Sequence, residues 1–182
     1  MKLNKKQYDA CTQNLGLLEG EEIRLEYHCY RREKYHSFSL GSEQEKPYRG
    51  LLVFTNNNMI FMDVVKRGLL GRDYGAAQSI RVPLEQIIGI STGGTMIKHL
   101  KVRTQSQEFK FEHVFRKGKR TKINDVVADV QSLLKEVREE KKKISEQVLA
   151  GTLIPKVVYC KFCGAKNKAD ASFCANCNAP LE

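Results

Sequence analysis

Four cysteines near the C-terminus occur as two matched pairs. Cys160 and Cys163 form one C-x2-C pair, Cys174 and Cys177 form a second, and ten residues separate the pairs. Each pair points two sulfurs at one position, and two such pairs complete the tetrahedron that a structural Zn²⁺ prefers. The surrounding residues hold too few apolar side chains to fold alone, so metal binding has to supply folding free energy, about 10–16 kcal/mol in zinc-finger peptides. The spacing therefore predicts a structural zinc site.

The cysteine pairs leave two alternatives open. Four cysteines can also form two disulfides in three possible pairings, but residues 1–20 contain no apolar run of the kind found in a secretory signal, and a reducing compartment leaves thiolates free for metal. Iron is the alternative ion, because sites made of four cysteines also hold it. Four thiolates fill a tetrahedral ion and leave no place for a reacting water, so the site is expected to be structural rather than catalytic.

The chain is basic and of ordinary hydrophobicity. Its 182 residues are 41% hydrophobic and carry a formal net charge of +10, which predicts one globular core with a small appendage. No stretch approaches the ~18 apolar residues needed to span a bilayer, so we expect a cytoplasmic protein, at most peripheral to a membrane. The positive excess is largest in residues 50–118, with ten Lys and Arg against five Asp and Glu. Such an excess suits a lipid surface, an acidic protein or nucleic acid, although solubility alone also accounts for it.

The first part of the chain changes from a helical period to a strand period. Residues 4–18 carry apolar side chains at helical spacing, and Asn4 is a candidate N-cap. Apolar and polar side chains then alternate, which predicts a half-buried strand with Cys29 on the buried face. A second strand is expected over residues 35–40, followed by a polar loop over residues 41–47.

Turn signals divide the central sequence into further strands. The expected strands cover residues 50–55, 59–65, 79–83, 86–91, 97–103 and 108–115, with a turn at Asn56-Asn57-Asn58 and a glycine-rich loop over residues 66–75. In the last hairpin, pairing Arg103 with Glu108 places the apolar side chains of both strands on one face. The same register sets Lys101 opposite Lys110, and these like charges either extend into water or bridge an anion.

Residues 121–149 predict one long helix. Apolar side chains recur every three or four positions, and a helix of this length extends about 43 Å. Its first part is expected to cover the sheet. Residues 139–155 contain three consecutive lysines and few core positions, so they are expected to form a helical extension and linker. The apolar face of residues 121–149 is also a candidate surface for self-association.

Four motifs follow one another in a recognisable order. They are Leu18-Glu19-Gly20-Glu21, Gly50-Leu51-Leu52-Val53-Phe54-Thr55 leading into Met59-Ile60-Phe61, Ile80-Arg81-Val82-Pro83-Leu84-Glu85-Gln86-Ile87, and Phe109-Lys110-Phe111. Together they resemble the pleckstrin-homology (PH) superfold, and specifically its GRAM-like and bacterial PH-like members. The resemblance implies a mainly β fold, with an antiparallel β-barrel followed by one long C-terminal helix.

The tail, residues 159–181, resembles the short double-knuckle zinc ribbons found at protein termini. Such ribbons often carry Gly after the last cysteine, where this chain has Asn178, and Asn tolerates the left-handed conformation that Gly supplies. The two resemblances imply four parts in sequence. These are an N-terminal helix over residues 1–20, a PH/GRAM-like domain over residues 21–138, a helical extension and linker over residues 139–155, and a zinc ribbon over residues 156–182.

Two basic segments are candidate sites for an anion or a lipid. Residues 31–34 lie at the expected turn after the first strand, where the PH resemblance implies phosphoinositide binding. In residues 66–72 two leucines lie between cations, which suits insertion into a lipid interface, and a solvated loop is the alternative for both segments. With the facing lysines, the candidate anion- or lipid-binding residues are Arg31, Arg32, Lys34, Lys66, Arg67, Leu69, Leu70, Arg72, Lys101 and Lys110.

The sequence contains no catalytic constellation that we can identify. The four histidines stand apart from any motif with a carboxylate or nucleophile, and no phosphate-binding or metalloprotease motif is present. We therefore expect a non-catalytic zinc-binding adaptor whose PH/GRAM-like domain binds a protein or membrane-lipid partner. The alternative is a nucleic-acid-binding zinc-ribbon protein, for which Phe162 and Phe173 are the only stacking candidates near the cysteines.

Overall fold

The computed structural model describes residues 2–36, 43–67, 73–149, 157–160, 163, 166–168 and 171–181. The chain divides into two compact units, Met1–Val137 and Arg138–Glu182. Its elements in order are α1 (Lys5–Gln13), β1 (Ile23–His36), β2 (Glu43–Thr55), β3 (Asn58–Arg67), β4 (Asp73–Pro83), a 3-10 turn (Leu84–Gln86), β5 (Ile87–Gly93), β6 (His99–Thr104), β7 (Glu108–Arg116), β8 (Lys119–Arg120), α2 (Ile123–Leu149), β9 (Val157–Tyr159) and β10 (Lys166–Lys168).

The first eight strands form one antiparallel sheet. Their order is β4-β3-β2-β1-β7-β6-β5, and β8 pairs with β7. The predicted mainly β fold with one long C-terminal helix is confirmed. The sheet is not closed into a complete barrel, because β4 and β5 form no ladder with each other in the residues that the structure describes. Pro83, which has no N–H to donate, ends β4, and the 3-10 turn then carries the chain into β5.

Strands β2 and β3 are buried on both faces. Every residue in Leu51–Phe54 and Met59–Met62 is fully inaccessible. Alternate side chains point to opposite faces of a strand, so Leu52, Phe54, Met59 and Phe61 join one apolar cluster and their neighbours join another. The first cluster is completed by α2 and strands β5 to β7, and the second by α1. This double burial explains the continuous apolar runs in the sequence.

Helix α1 begins where its cap was expected. The Gln7 backbone N–H donates to Asn4 Oδ1 at 3.0 Å, and the Asn4 N–H donates to Gln7 Oε1 at 3.1 Å, which together form a capping box. The helix ends at Gln13 instead of residue 18, and Leu15 beyond it still packs into the second cluster. The predicted cap is confirmed, and the predicted C-terminal boundary is wrong.

Strand β1 is longer than its pattern indicated. It continues to His36 and pairs with β2 from Glu43 onward, so the polar loop predicted over residues 41–47 is wrong for residues 43–47. The remainder of that loop, and residues 37–40 of the predicted second strand, lie outside the described residues. Cys29 is 3% exposed, which confirms its place on the buried face.

The register of the last hairpin is confirmed. Arg103 pairs with Glu108, Val102 with Phe109 and Lys101 with Lys110. The two facing lysines reach different carboxylates: Lys101 Nζ lies 3.7 Å from Glu108 Oε1, and Lys110 Nζ lies 3.6 Å from Glu45 Oε1. The repulsion between the lysines is therefore relieved by acidic side chains of the same sheet.

Helix α2 buries one face of its first half. The buried side chains are Ile123, Val126, Val130, Leu133, Leu134 and Val137, and all of them belong to the first apolar cluster. Val127, one of the apolar residues of the predicted helix, is only half-buried, because the face that meets the cluster is shifted towards Val126 and Leu133. Farther along, Ile144 is 52% exposed. No helix among the described residues is both long and apolar enough to cross a membrane.

Glu21 is a buried carboxylate with four hydrogen-bond donors. Thr55 Oγ1 and Asn58 Nδ2 donate to its Oε1 at 2.7 and 2.8 Å, while the Leu18 backbone N–H and Arg81 Nη1 donate to Oε2 at 2.9 and 3.0 Å. Burial by itself raises the pKa of Glu21, but these donors outweigh burial and lower the pKa to about 2. The carboxylate therefore ties the segment before β1 to the β2–β3 turn and to β4.

We expect Phe111→Ala to lower the free energy of unfolding by about 3–5 kcal/mol, because it removes a fully buried ring and leaves a cavity. The Phe111 ring lies 5.5 Å from the Phe61 ring and 6.5 Å from the Phe109 ring. Urea unfolding measures the change. Ile88→Ala, at a side chain 52% exposed, is the control and should change the stability by no more than about 0.5 kcal/mol.

We expect Glu21→Gln to destabilise the fold at neutral pH by about 1–3 kcal/mol, since it removes a charge that accepts four hydrogen bonds. Because the folded-state pKa of Glu21 is lowered, its contribution is complete above the ordinary carboxyl pKa and is lost as the pH falls towards 2. The variant and the native chain should therefore converge in stability between pH 4.5 and pH 2. Urea unfolding across this range, with exposed Glu19→Gln as control, would contradict the assignment if the difference stayed constant.

Candidate metal centre

The four cysteines of the C-terminal pairs converge on one point. Their Sγ atoms all lie within 4.8 Å of one another, and two of the contacts, Cys160 to Cys177 and Cys163 to Cys174, are 3.5 Å. Sulfurs around Zn²⁺ at the usual 2.3 Å form a tetrahedron with edges of roughly 3.8 Å. The four donors thus have the separation that a single tetrahedral ion requires.

Both 3.5 Å sulfur contacts join a cysteine of the first pair to a cysteine of the second pair. Each C-x2-C pair therefore contributes one sulfur to each 3.5 Å contact. All four cysteines are free thiols, and 3.5 Å is much longer than the 2.05 Å of an S–S bond. The structure thus describes a four-sulfur cluster in place of the two disulfides that the sequence left open.

The second cysteine pair is shaped by a tight turn. The Asn178 N–H donates to the Cys174 carbonyl oxygen at 2.9 Å, and the Cys174 N–H donates to the Ala179 carbonyl oxygen at 2.8 Å. Asn178 has a φ of 58°, so it takes the left-handed conformation predicted for it. An isolated antiparallel β-bridge between Phe173 and Pro180 pairs the two segments on either side of this turn.

The first cysteine pair lies between the two strands of a short ribbon that supplies a second layer of contacts. Strands β9 and β10 pair antiparallel, and Asn167 on β10 is 6% exposed. Its Nδ2 donates to Cys174 Sγ at 3.6 Å, and its Oδ1 accepts from the Ala175 N–H at 2.9 Å. Asn167 therefore orients one sulfur and fixes the backbone beside it, which is the arrangement found around metal-ligating side chains.

The thiols cannot all ionise without a cation. The backbone N–H groups of Cys177 and Asn176 lower the pKa of Cys174 to about 6. At Cys177 the Ala179 backbone acts in the same direction, but the neighbouring Cys163 and the other sulfurs outweigh it and raise the pKa of Cys177 to about 12. A divalent ion bound to the four sulfurs would remove the repulsion between neighbouring thiolates, because its positive charge stabilises all of them together.

The donor set fits a closed structural site. Cys160 and Cys174 are buried while Cys163 and Cys177 are exposed, and all four coordination positions of a tetrahedral ion would be taken by sulfur. Such a set suits Zn²⁺ and also accepts iron. The predicted metal ligands are therefore brought together in the structure.

The basic residues 31 and 32 lie inside β1, so their predicted position at a turn is wrong. Arg31 is 8% exposed. Its Nη2 lies 3.0 Å from Glu33 Oε2 and 3.5 Å from Asp63 Oδ2, and its guanidinium stacks over Tyr48 at 4.8 Å. Burial raises the pKa of Asp63. Arg31 is thus largely engaged within the protein.

Arg32 lies beside Lys110 in the β1–β7 ladder, and Lys101 faces Lys110 on β6. The structure therefore brings three of the predicted anion-site residues together. Arg32 Nε lies 2.9 Å from Glu112 Oε2, and Glu45 lies 4.0 Å from Arg32 and 3.6 Å from Lys110. The three cations are partly neutralised by these carboxylates and by Glu108.

The second predicted segment is only partly described. Lys66 and Arg67 are exposed at the end of β3, within the segment that was expected to be a loop. Leu69, Leu70 and Arg72 lie outside the described residues, and so does the side chain of Lys34. Their role in anion or lipid binding remains a prediction.

The sequence reasoning passed over a denser basic run. Residues 116–122 contain five Lys and Arg and no acidic residue, and they cover the end of β7, the β7–β8 turn, β8 and the two residues before α2. A count of charge in a seven-residue window would have found this run. It lies at the opposite end of β7 from Lys110.

Comparisons with known proteins found one family model and several solved structures. A family model described as "Domain of unknown function (DUF7577)" matches residues 156–182. No curated protein matches the chain.

Several solved structures are similar to the chain at low identity. The C-terminal domain of an unknown protein from Leishmania infantum is 16% identical, with 64% of this chain and 86% of that chain covered and a TM-score of 0.41. A DUF1696 family protein with a pleckstrin-homology domain from Shewanella loihica is 23% identical, with coverages of 71% and 91% and a TM-score of 0.35. A pleckstrin-homology domain from Shewanella amazonensis is 20% identical, with coverages of 72% and 96% and a TM-score of 0.33. These scores carry no inference about binding.

We expect removal of zinc by a chelator to unfold the C-terminal ribbon and to leave the large sheet intact. The described residues of the ribbon include few buried apolar side chains, so we expect its folding to depend on the ion. In two-dimensional NMR, the amide signals of residues 157–181 should collapse while those of β1 to β7 persist. Loss of both sets of signals would contradict this expectation. Cys29→Ala, outside the cluster, should retain zinc, and Cys174→Ser should lose it.

We expect Asn167→Ala to weaken zinc binding by about 10- to 100-fold, as is typical when a second layer of contacts is lost. Asn176→Ala is a matched control, because Asn176 donates to Cys174 Sγ through its backbone N–H at 3.4 Å and its side chain is exposed. Competition with a chromogenic chelator measures both affinities. Equal affinities for the two variants would show that the Asn167 side chain does not support the site.

Proposed function

We propose that this protein is a non-catalytic adaptor in which a structural Zn²⁺ organises the C-terminal unit and the large sheet forms a PH/GRAM-like interaction domain for a protein or membrane-lipid partner. The observation that carries the zinc part of the proposal is the convergence of four Sγ atoms within 4.8 Å. The adaptor role rests on the presence of two compact units in one chain, each with a surface of its own.

The state of the remaining cysteines supports a non-catalytic role. Burial raises the pKa of Cys11 to about 11 and raises the pKa of Cys29 further. Both thiols therefore stay protonated near neutral pH, and a protonated thiol is a poor nucleophile. One ring nitrogen of His28 already has a partner within the protein, because His28 Nδ1 accepts a hydrogen bond from the Leu3 backbone N–H at 3.2 Å.

The cations at one end of the sheet support the proposal of an anionic partner for the interaction domain. This end carries Arg32, Lys101 and Lys110. Lys66 and Arg67 lie at the same end, since β3 runs parallel to β1 on the other side of β2. Surface cations of this kind raise the rate and specificity of association with acidic surfaces more than they raise affinity. An acidic protein surface and an anionic membrane both offer this complementarity.

The full chain allows the two units to be tested separately. The wild type, Cys160→Ser/Cys163→Ser and Lys66→Glu/Arg67→Glu should be compared in pull-downs and in flotation with anionic and neutral vesicles. We expect the cysteine variant to lose partners of the ribbon, and the charge variant to lose partners of the sheet. Capture of the same partners by all three chains would refute the adaptor proposal.

Flotation of Leu69→Asp/Leu70→Asp separates membrane insertion from charge attraction. If the two leucines enter the lipid interface, this variant floats less than the wild type with anionic vesicles, and equal flotation would dismiss insertion. Salt-sensitive binding of DNA or RNA by the wild type would instead favour the nucleic-acid alternative.

A further inference from the structure

A cavity of about 530 Å³ lies between the start of α1, the start of β1 and the β7–β8 turn. It is formed by residues that are distant in sequence, chiefly 2–5, 23–28 and 116–118. Its volume is within the range of small-molecule sites. This cavity is at the end of the sheet opposite to Arg32 and Lys110, so an inference about it goes beyond the proposed function.

The charge around the cavity is strongly one-sided. Among the described residues, five cationic side chains line it, namely Lys2, Lys5, Arg24, Arg116 and Lys117, and Glu26 is the only carboxylate. Lys2 lies against the turn, because a Cβ at Gly118 would come within 2.9 Å of Lys2 Nζ. Positive charges held this close repel one another, and an anion in the cavity would relieve the repulsion.

The acidic groups nearby are already committed to other partners. Glu26 Oε2 accepts a hydrogen bond from Tyr8 Oη at 2.9 Å, and Glu26 Oε1 lies 3.8 Å from His28 Nε2. Asp129 lies 2.6 Å from Arg116 Nη1 and also accepts from Tyr27 Oη. Within the described part of the chain, Lys2, Lys5, Arg24 and Lys117 make no ion pair.

Apart from Asn4 and His28, the rest of the described cavity lining is largely apolar. Leu3 is buried and Leu25 is half-buried, while Ile23 is 41% exposed at the start of β1. The Tyr8 ring stacks on His28 with 5.6 Å between ring centroids and adds a further apolar surface. A ligand that satisfies this lining needs a charged end and an apolar end, because neither a simple ion nor a neutral hydrocarbon uses both.

We propose that this cavity binds a small organic anion, a phosphate or carboxylate attached to an alkyl or aryl group, with its charge among Lys2, Lys5, Arg24 and Lys117 and its apolar part against Ile23 and Leu25. Nucleic acid fits less well, because the cavity is lined by aliphatic side chains and by a Tyr ring already stacked on His28, and single strands bind by stacking on free aromatic rings.

Octyl phosphate, below its micelle concentration, is a suitable probe for the full zinc-loaded chain. Inorganic phosphate tests the charged end alone, and octyl glucoside tests the alkyl chain alone. In NMR titrations we expect octyl phosphate to shift the amide signals of residues 23–26 and 117–118 with saturation. Binding of inorganic phosphate with equal affinity, of octyl glucoside with equal affinity, or no saturable binding of octyl phosphate would each overturn the proposal.

Matched charge variants locate the site. Lys5→Glu/Arg24→Glu should weaken octyl phosphate binding by at least about tenfold, since it reverses two of the four uncommitted charges. Lys6→Glu/Lys98→Glu changes the net charge equally at exposed positions outside the cavity and should leave the affinity unchanged. Equal weakening by both variants would place binding elsewhere.

Two further variants keep the test valid if the double variant fails to fold. Lys5→Gln/Arg24→Gln removes the charges without reversing them and should still weaken binding severalfold. Ile23→Ser should weaken octyl phosphate but leave the weaker binding of inorganic phosphate unchanged, whereas Ile88→Ser, at a similarly exposed side chain, should affect neither. If neither Lys5→Gln/Arg24→Gln nor Ile23→Ser weakens octyl phosphate binding, the cavity is not its site.

Discussion

Burial of the central strands on both faces is the constraint on which the large unit depends. The side chains of Leu51–Phe54 and Met59–Met62 have no exposed surface, so each face of the β2–β3 hairpin requires its own cover. Helix α2 and strands β5 to β7 cover one face and α1 covers the other. Apolar burial of this extent is the dominant favourable term in folding, and it makes a small N-terminal helix an integral part of the core.

The C-terminal unit is stabilised by a different kind of interaction. Its two short strands and its turns bury few side chains, with Cys160, Asn167 and Cys174 the clearest examples among its described residues. The sulfur cluster therefore takes the place of an apolar core, and an ion bound there would supply the free energy that packing cannot. The stability of the first unit rests on apolar burial and on the Glu21 carboxylate, whereas that of the second would depend on metal binding.

Buried polar groups mark the places where the sheet is held in register. Glu21 joins the segment before β1 to the β2–β3 turn and β4 through four donors, and Arg31 bridges β1 and β3 through Asp63. Except for Leu18 and Glu21, the residues joined by these contacts are distant in the sequence. Among the described basic side chains of the sheet, those with acidic partners are Arg31, Arg32, Arg81, Lys101, Lys110 and Arg116. The four uncommitted cations around the cavity beside α1 form no ion pair with any described residue.

Some features could be predicted from the sequence by itself, because each depends on residues that are near one another along the chain. They are the candidate metal-ligating cysteines, the N-cap at Asn4, the left-handed conformation of Asn178 and the pairing of Lys101 with Lys110. The tertiary structure decided what depends on distant neighbours. It left the sheet open at β4 and β5, placed Arg31 beside Asp63, buried Val126 fully and Val127 only partly, and joined residues 2–5, 23–28 and 116–118 around one cavity. Periodicity assigns a side chain to a face of its own element, whereas its partners are fixed only when the elements pack together.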